Sequence, residues 1–137
     1  MPSEVPQLSV EQIVRIHDDL MQRYGGTRLP GHRGEDEGVA ACVGAVLNSY
    51  YDDIFDLAAA YAVYIVMGHV FGDGNKRTAS ATALTFLMMN GVEIATRPKE
   101  LLDLMLDLQR RAETIPSPSA TELVKHLAEW LRRHRRR

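Results

Sequence analysis

Cysteine is nearly absent from this sequence. The single one, Cys42, excludes an intramolecular disulfide and any multi-cysteine zinc site. Aromatic residues are sparse, at 7%. No apolar run is long enough to cross a bilayer: the longest nearly uncharged stretch, Leu57 to Phe71, falls short of the roughly 18–20 residues that a span needs. The opening residues are polar and contain Pro2 and Pro6, with no basic-then-apolar signal segment, so the expected location is cytoplasmic. Ten glycines and six prolines are too few for a collagen-like or low-complexity chain. What remains is ordinary: 137 residues, 45% hydrophobic and 25% charged, which suits one domain over residues 1–137.

The formal net charge of −2 hides an asymmetry. The basic tail, residues 131–137, ends in Arg-Arg-His-Arg-Arg-Arg, so the rest of the chain is clearly acidic. A dedicated DNA-binding domain spreads basic residues over a face, and this sequence does not, so direct DNA binding is not expected. The plain expectation for the tail is a solvated helix end whose arginines complement the helix dipole.

Apolar spacing reads as helix after helix. Ser9 and Gln12 form a capping-box pattern, followed by Ile13, Ile16, Leu20 and Tyr24 on one face and a stop at Gly25-Gly26. Residues 25–38 hold five glycines and a proline and read as a loop, a candidate element for contacting a target. Val39, Cys42, Val43, Val46 and Tyr50 then resume helical spacing. Asp52 or Asp53 caps a segment over 54–68 that is apolar almost all round, as suits the middle of a bundle. Another helix follows residue 75 and stops at Asn90-Gly91, and residues 92–95 read as a short extended piece without a matching second strand. Pro98 opens a helix burying Leu101, Leu104, Met105 and Leu108. A turn at 115–119 precedes the Ser119/Glu122 capping box of a last helix, with Leu123, Leu127, Trp130 and Leu131 inward. The expected fold class is all-α, a single-domain bundle of about six helices.

One segment does more than pack: Gly68-His69-Val70-Phe71-Gly72-Asp73-Gly74-Asn75-Lys76-Arg77-Thr78. Two glycines within three residues break one helical run just before another starts. A helix N-terminus presents unpaired N–H groups and the positive end of a dipole, which suits phosphate. Asn75 reads as its N-cap, and Lys76 and Arg77 put two cations in the first turn, where the dipole disfavours them unless an anion is near. His69 has the chemistry of a general base, and Asp73 that of a magnesium ligand bridging phosphate oxygens. Each residue also has a plain structural reading as a cap, a turn residue or a solvated charge. Neither a Walker A loop nor a Rossmann G-x-G-x-x-G is present, since Arg77 stands where the third small residue of the latter belongs.

Taken whole, H-V-F-G-D-G-N-K-R-T resembles the H-x-F-x-[D/E]-[G/A]-N-[G/K]-R signature of the Fic/Doc superfamily. The Arg23-Tyr24-Gly25-Gly26 helix end with the following Leu-Pro-Gly, the Asn90-Gly91 stop and the short length are most similar to its Doc (death-on-curing) branch. The resemblance implies the catalytic group His69, Asp73, Lys76 and Arg77. His69 is then the base that deprotonates a target hydroxyl, and Asp73 the magnesium ligand. Phe71, Gly72, Gly74, Asn75, Lys76 and Arg77 form the nucleotide-binding set, with Asn75 and Arg77 on phosphate, the amides from Gly72 to Asn75 as an anion cradle, and Phe71 packed beneath the loop. The implied cofactors are ATP and Mg2+.

The superfamily's AMP-transferases carry glycine where Lys76 stands and a second arginine where Ser80 stands. Both departures match the Doc branch, whose members are kinases that transfer the γ-phosphate, with a threonine of elongation factor Tu as target and arrest of translation as result. Gly74 is a counter-signal, since Doc proteins often have alanine there. The alternatives are AMP transfer and an inactive Fic-like binding module. Thr96 to Glu100 approaches the superfamily's self-inhibitory pattern, but Leu101 breaks it, so the resemblance implies a separate antitoxin whose C-terminal segment folds as a helix in a groove.

Overall fold

The computed structural model describes residues 6–25 and 33–137, with residues 33–35 as backbone alone. Six α-helices follow one another among the described residues: α1 (Val10–Tyr24), α2 (Arg33–Leu47), α3 (Ile54–Gly68), α4 (Asn75–Met89), α5 (Pro98–Ala112) and α6 (Ala120–Arg133). Alanine decides which of them lies in the middle. Ala58, Ala59, Ala60 and Ala62 are fully buried on α3, and their small side chains let helices close in around it. α4, α6, α2 and α5 all pack on it, while α1 lies against α4 and α2. The domain is all-α, as expected.

Buried Tyr61 of α3 anchors the start of the chain. Its hydroxyl donates to Gln7 Oε1 (2.7 Å) and accepts from the Leu8 N–H (3.3 Å), while its ring tilts against Phe86 of α4 at 5.3 Å. Cys42 of α2 sits against the Tyr61 carbonyl, its Sγ 3.8 Å away. Burial pushes that thiol up to about 12, so it stays protonated and acts as a packing group rather than a nucleophile.

Caps fall largely where expected. Ser9 and Gln12 form the full reciprocal capping box of α1, Asp53 caps α3 through Phe55 and Asp56, and Ser119 accepts from the Glu122 N–H of α6. Three expectations are corrected. Residues 33–38, read as loop, are the first turns of α2, where acidic Asp36 and Glu37 suit a helix N-terminus; residues 26–32 of that loop lie outside the described residues. Tyr50 is wholly exposed because α2 ends at Leu47, which breaks the helical period that Val39, Cys42, Val43 and Val46 obey. Tyr24, expected on the inner face of α1, is 58% exposed.

The arginine tail is a further correction: it is docked rather than merely solvated. α6 stops at Arg133, and His134 stacks on Trp130 with ring centroids 3.8 Å apart. The following residues run antiparallel to residues 93–95, with Ala95 N–H donating to the His134 carbonyl (2.7 Å) and Arg136 N–H to the Glu93 carbonyl (2.8 Å). The extended piece therefore takes its partner from the tail. One turn earlier, Arg132 donates to both Asp53 (2.9 Å) and Asp56 (3.0 Å), joining the end of α6 to the start of α3. Partial burial works to raise the Asp53 carboxyl, but the Asp56 and Phe55 amides and the Arg132 guanidinium outweigh it and hold the group below its ordinary value.

Two expectations follow for stability. Asp53→Ala removes a cap and half of the Arg132 anchor, and should cost about 1–2 kcal/mol at neutral pH by urea denaturation. A carboxyl whose folded value lies below its unfolded one stabilises above the unfolded value and loses that contribution as pH falls through the folded one, so the gap between wild type and variant should close below about pH 4. Deleting residues 135–137 removes the Arg136 pairing with Glu93, and should cost about 1 kcal/mol by the same measurement.

Candidate functional site

α3 ends abruptly at His69. This residue takes the left-handed conformation (φ 44°, ψ 49°), and the backbone N–H groups of His69 and Val70 fold back onto the Val66 and Ile65 carbonyls. Glycine usually fills such a position. Histidine tolerates it better than most side chains, and non-glycine residues in this region collect at functional sites. The turn leaves the His69 side chain exposed, with no ring hydrogen bond among the described residues.

The five residues from Val70 to Gly74 then cross to α4, held on three sides. Val70 lies against α2 at Gly38, where an added Cβ would come within 3.3 Å of the Val70 Cγ1. Phe71 is buried and stacks face to face on His17 of α1, with ring centroids 3.8 Å apart and planes 3° off parallel. The same imidazole reaches the loop backbone: its Nε2 lies 2.8 Å from the Asp73 carbonyl oxygen, which can only accept, so Nε2 carries the hydrogen. The other ring nitrogen, Nδ1, has no hydrogen bond among the described residues, and the Asp18 carboxylate lies 3.5 Å from it. Gly74 closes the loop at φ +80°, and a Cβ there would run into the Met21 methyl of α1.

Asn75 does not cap α4. It is the first residue of that helix, and the cap position belongs to Gly74, which has no side chain to offer. The Asn75 amide turns back instead: Nδ2 donates to the Phe71 carbonyl (2.8 Å), and Oδ1 accepts from the Phe71 N–H (2.9 Å). This two-way clamp settles Phe71's backbone and leaves the first amides of α4 without a side-chain cap. α1, α3, α5 and α6 each carry an acidic residue in the first turn, whereas α4 carries none and has Lys76 and Arg77. The site is therefore electropositive by backbone and side chain together.

The two cations go to different neighbours. Lys76 Nζ donates to Gln109 Oε1 of α5 (3.1 Å), and the Arg77 guanidinium lies 4.8 Å from the centroid of the Tyr24 ring of α1. Both partners are neutral, so neither contact cancels the positive charge. Asp73 is exposed, and its Oδ1 accepts from the Gly74 N–H (2.8 Å). Among the described residues no three His, Cys, Asp or Glu side chains gather as a metal cage. One carboxylate beside an anion-binding helix end still fits magnesium, which commonly takes one or two carboxylates and fills its shell with phosphate oxygens and water. Where a second arginine would stand in an AMP-transferase, the Ser80 hydroxyl bonds to the Lys76 carbonyl one turn back (2.9 Å).

Beside Arg77 opens a cleft of about 300 Å³, walled by Leu20 and Tyr24 of α1, Leu84 of α4, Ile94, and Leu101 and Leu102 of α5. The structure thus groups all the candidate residues from His69 to Arg77 around one loop. It adds Gln109, Tyr24 and His17, which sequence reading missed. For His17 a signal existed: it stands four residues after Ile13 on the inward stripe of α1, and a polar side chain on such a stripe asks for a partner.

An all-α domain whose central helix breaks into a basic helix start through a buried aromatic and a glycine-bounded loop fits a Fic-type fold. The family model for the Fic/DOC family matches residues 7–87, and this chain belongs to that family. It is 37% identical over 129 residues to the protein kinase doc of Escherichia phage P1, a match covering 92% of this chain and 93% of that protein. It is also 49% identical over 45 residues to Toxin Doc of Mycolicibacterium smegmatis, covering about a third of each (33% and 35%).

Removing the Asn75 clamp has a readable cost. Asn75→Ala leaves both Phe71 backbone groups without their partner and should destabilise the fold by about 1–3 kcal/mol. Asn75→Asp keeps an acceptor for the Phe71 N–H but sets a second oxygen against the Phe71 carbonyl, so chemical denaturation should show it no more stable than the alanine variant.

Proposed function

We propose that this protein is a Doc-like toxin, a kinase that transfers the γ-phosphate of ATP to a protein hydroxyl. The observation that carries this reading is the helix start itself: Lys76 in place of glycine, with the Ser80 hydroxyl turned onto its own helix where a second arginine would be needed for AMP transfer. His69 takes the proton of the target hydroxyl, and the oxygen attacks the γ-phosphorus as the bond to the bridging oxygen breaks and ADP leaves. The open amides of α4 and Arg77 hold the phosphates, and the Lys76 ammonium meets charge on the transferring group. Magnesium, when bound, neutralises phosphate charge, and Asp73 is the residue that would hold it.

The target follows the family resemblance: a threonine of elongation factor Tu, with arrest of translation as the consequence. So does the partner, an antitoxin whose C-terminal segment folds into a groove. The cleft beside Arg77, apolar along most of its wall, suits the apolar face of such a helix. AMP transfer is the second reading, favoured by Gly74 alone.

Incubating the purified protein with cell extract and labelled ATP separates the two. Label from the γ position should appear on one cellular protein, and label from the α position should not; the reverse result establishes AMP transfer. His69→Asn keeps a side chain that tolerates the left-handed turn but cannot act as the base. It should lower transfer by roughly 10²–10⁴-fold with an unchanged melting temperature. Full activity in that variant would remove His69 from the mechanism.

A further inference from the structure

A histidine outside the signature motif controls the motif's shape. His17 is fully buried in the middle of α1, although burying a polar ring costs free energy unless it is bonded. Its ring stacking and its hydrogen bond both go to the same short loop, more than fifty residues away in sequence. Its face lies on Phe71, and its Nε2–H is bonded to the carbonyl of Asp73. The two are separable kinds of hold: stacking fixes where the loop sits over α1, and the hydrogen bond fixes the rotation of the Asp73–Gly74 peptide.

That peptide matters because its two ends face opposite ways. The carbonyl of Asp73 accepts from His17, while the N–H of Gly74 donates to the Asp73 carboxylate. Turning the peptide over would expose the carbonyl, break the contact between the Gly74 N–H and the carboxylate, and put a negative dipole end where phosphate is to bind. A phenyl ring would keep the stacking without fixing that orientation. We propose that His17 is a positioning residue of the transfer site, which selects the peptide orientation at Asp73–Gly74 and thereby aims the Asp73 carboxylate and the loop amides; this rests on the phosphoryl-transfer reading above.

Three substitutions separate this role from simple packing. His17→Phe keeps the stacked ring and removes the donor. His17→Gln places an amide N–H near the position of Nε2. His17→Asn places its amide near Nδ1 instead, on the Asp18 side. Two readouts are compared for the purified full-length proteins: transfer from γ-labelled ATP with magnesium, and amide exchange at Phe71 and Gly74. His17→Phe should lose roughly 100-fold in transfer, the usual consequence of a misplaced catalytic loop. Its two loop amides should exchange about tenfold faster, while α3 and α6 exchange as in wild type. His17→Gln should recover transfer to within about tenfold of wild type and restore protection of the loop amides, and His17→Asn should recover neither.

Equal transfer and equal loop protection in wild type and His17→Phe would overturn the proposal. So would activity that simply follows melting temperature across the three variants, with no advantage for glutamine. Were the wild-type protein to transfer no label from ATP, the kinase reading would fall, and the exchange measurement would still decide whether His17 sets the loop.

Discussion

A helix start can bind an anion only if nothing in the protein has already capped it, and a loop leading into such a start must then be held by other means. Asn75 resolves that conflict. Asparagine one residue earlier would cap α4 and occupy its amides. At the first helical position its amide faces backwards and pairs with both backbone groups of Phe71. The cap position falls to Gly74, which contributes backbone shape and no competing oxygen. The remaining features of the site serve this arrangement: the left-handed break at His69 starts the loop, Val70 and Phe71 bury its near side, and His17 holds its far side.

The bundle supplies the rigidity that the loop lacks. α3 and α4 enter and leave the loop, and they pack against each other, Tyr61 of one against Phe86 of the other. With both flanking helices fixed, the intervening turn has few conformations to choose among, and single hydrogen bonds suffice to select one. The far end of α3 is tied in its turn, since Asp53 both caps it and receives Arg132 from α6. The tail continues that tie onto residues 93–95, next to Ile94 and Thr96 on the wall of the cleft that Arg77 borders.

Much of this was legible in the residues, for identifiable reasons. Helices α1, α3, α5 and α6 announce themselves through caps and apolar stripes, because Ser9, Asp53 and Ser119 act through neighbours two or three residues away and Pro98 is preset for a first helical turn. The motif was equally clear as a string. What its members touch was not, since Lys76 with Gln109, Arg77 with Tyr24 and Phe71 with His17 are pairings made by the fold. Asn75 shows the limit most sharply: its type was read correctly as a hydrogen-bonding residue at a helix start, yet one position of register changes a cap into a clamp. The tail's docking was hidden for a related reason: residues 92–95 read as extended, but their partner, the His134-Arg135-Arg136 stretch, carries no strand pattern of its own.

Charge placement gives the site its direction. Two of the five arginines at the end of the chain are paired within the protein: Arg132 faces two carboxylates and Arg136 faces Glu93. Lys76 and Arg77 are treated in the opposite way. An amide oxygen and an aromatic face steady them without neutralising them, so they retain their pull on an incoming anion while losing some of the freedom that binding would otherwise have to remove. With no acidic residue in the first turn of α4 to oppose them, the helix dipole and both side chains act in the same sense. Such a start is electrostatically unfavourable in the free protein and becomes favourable beside an anion.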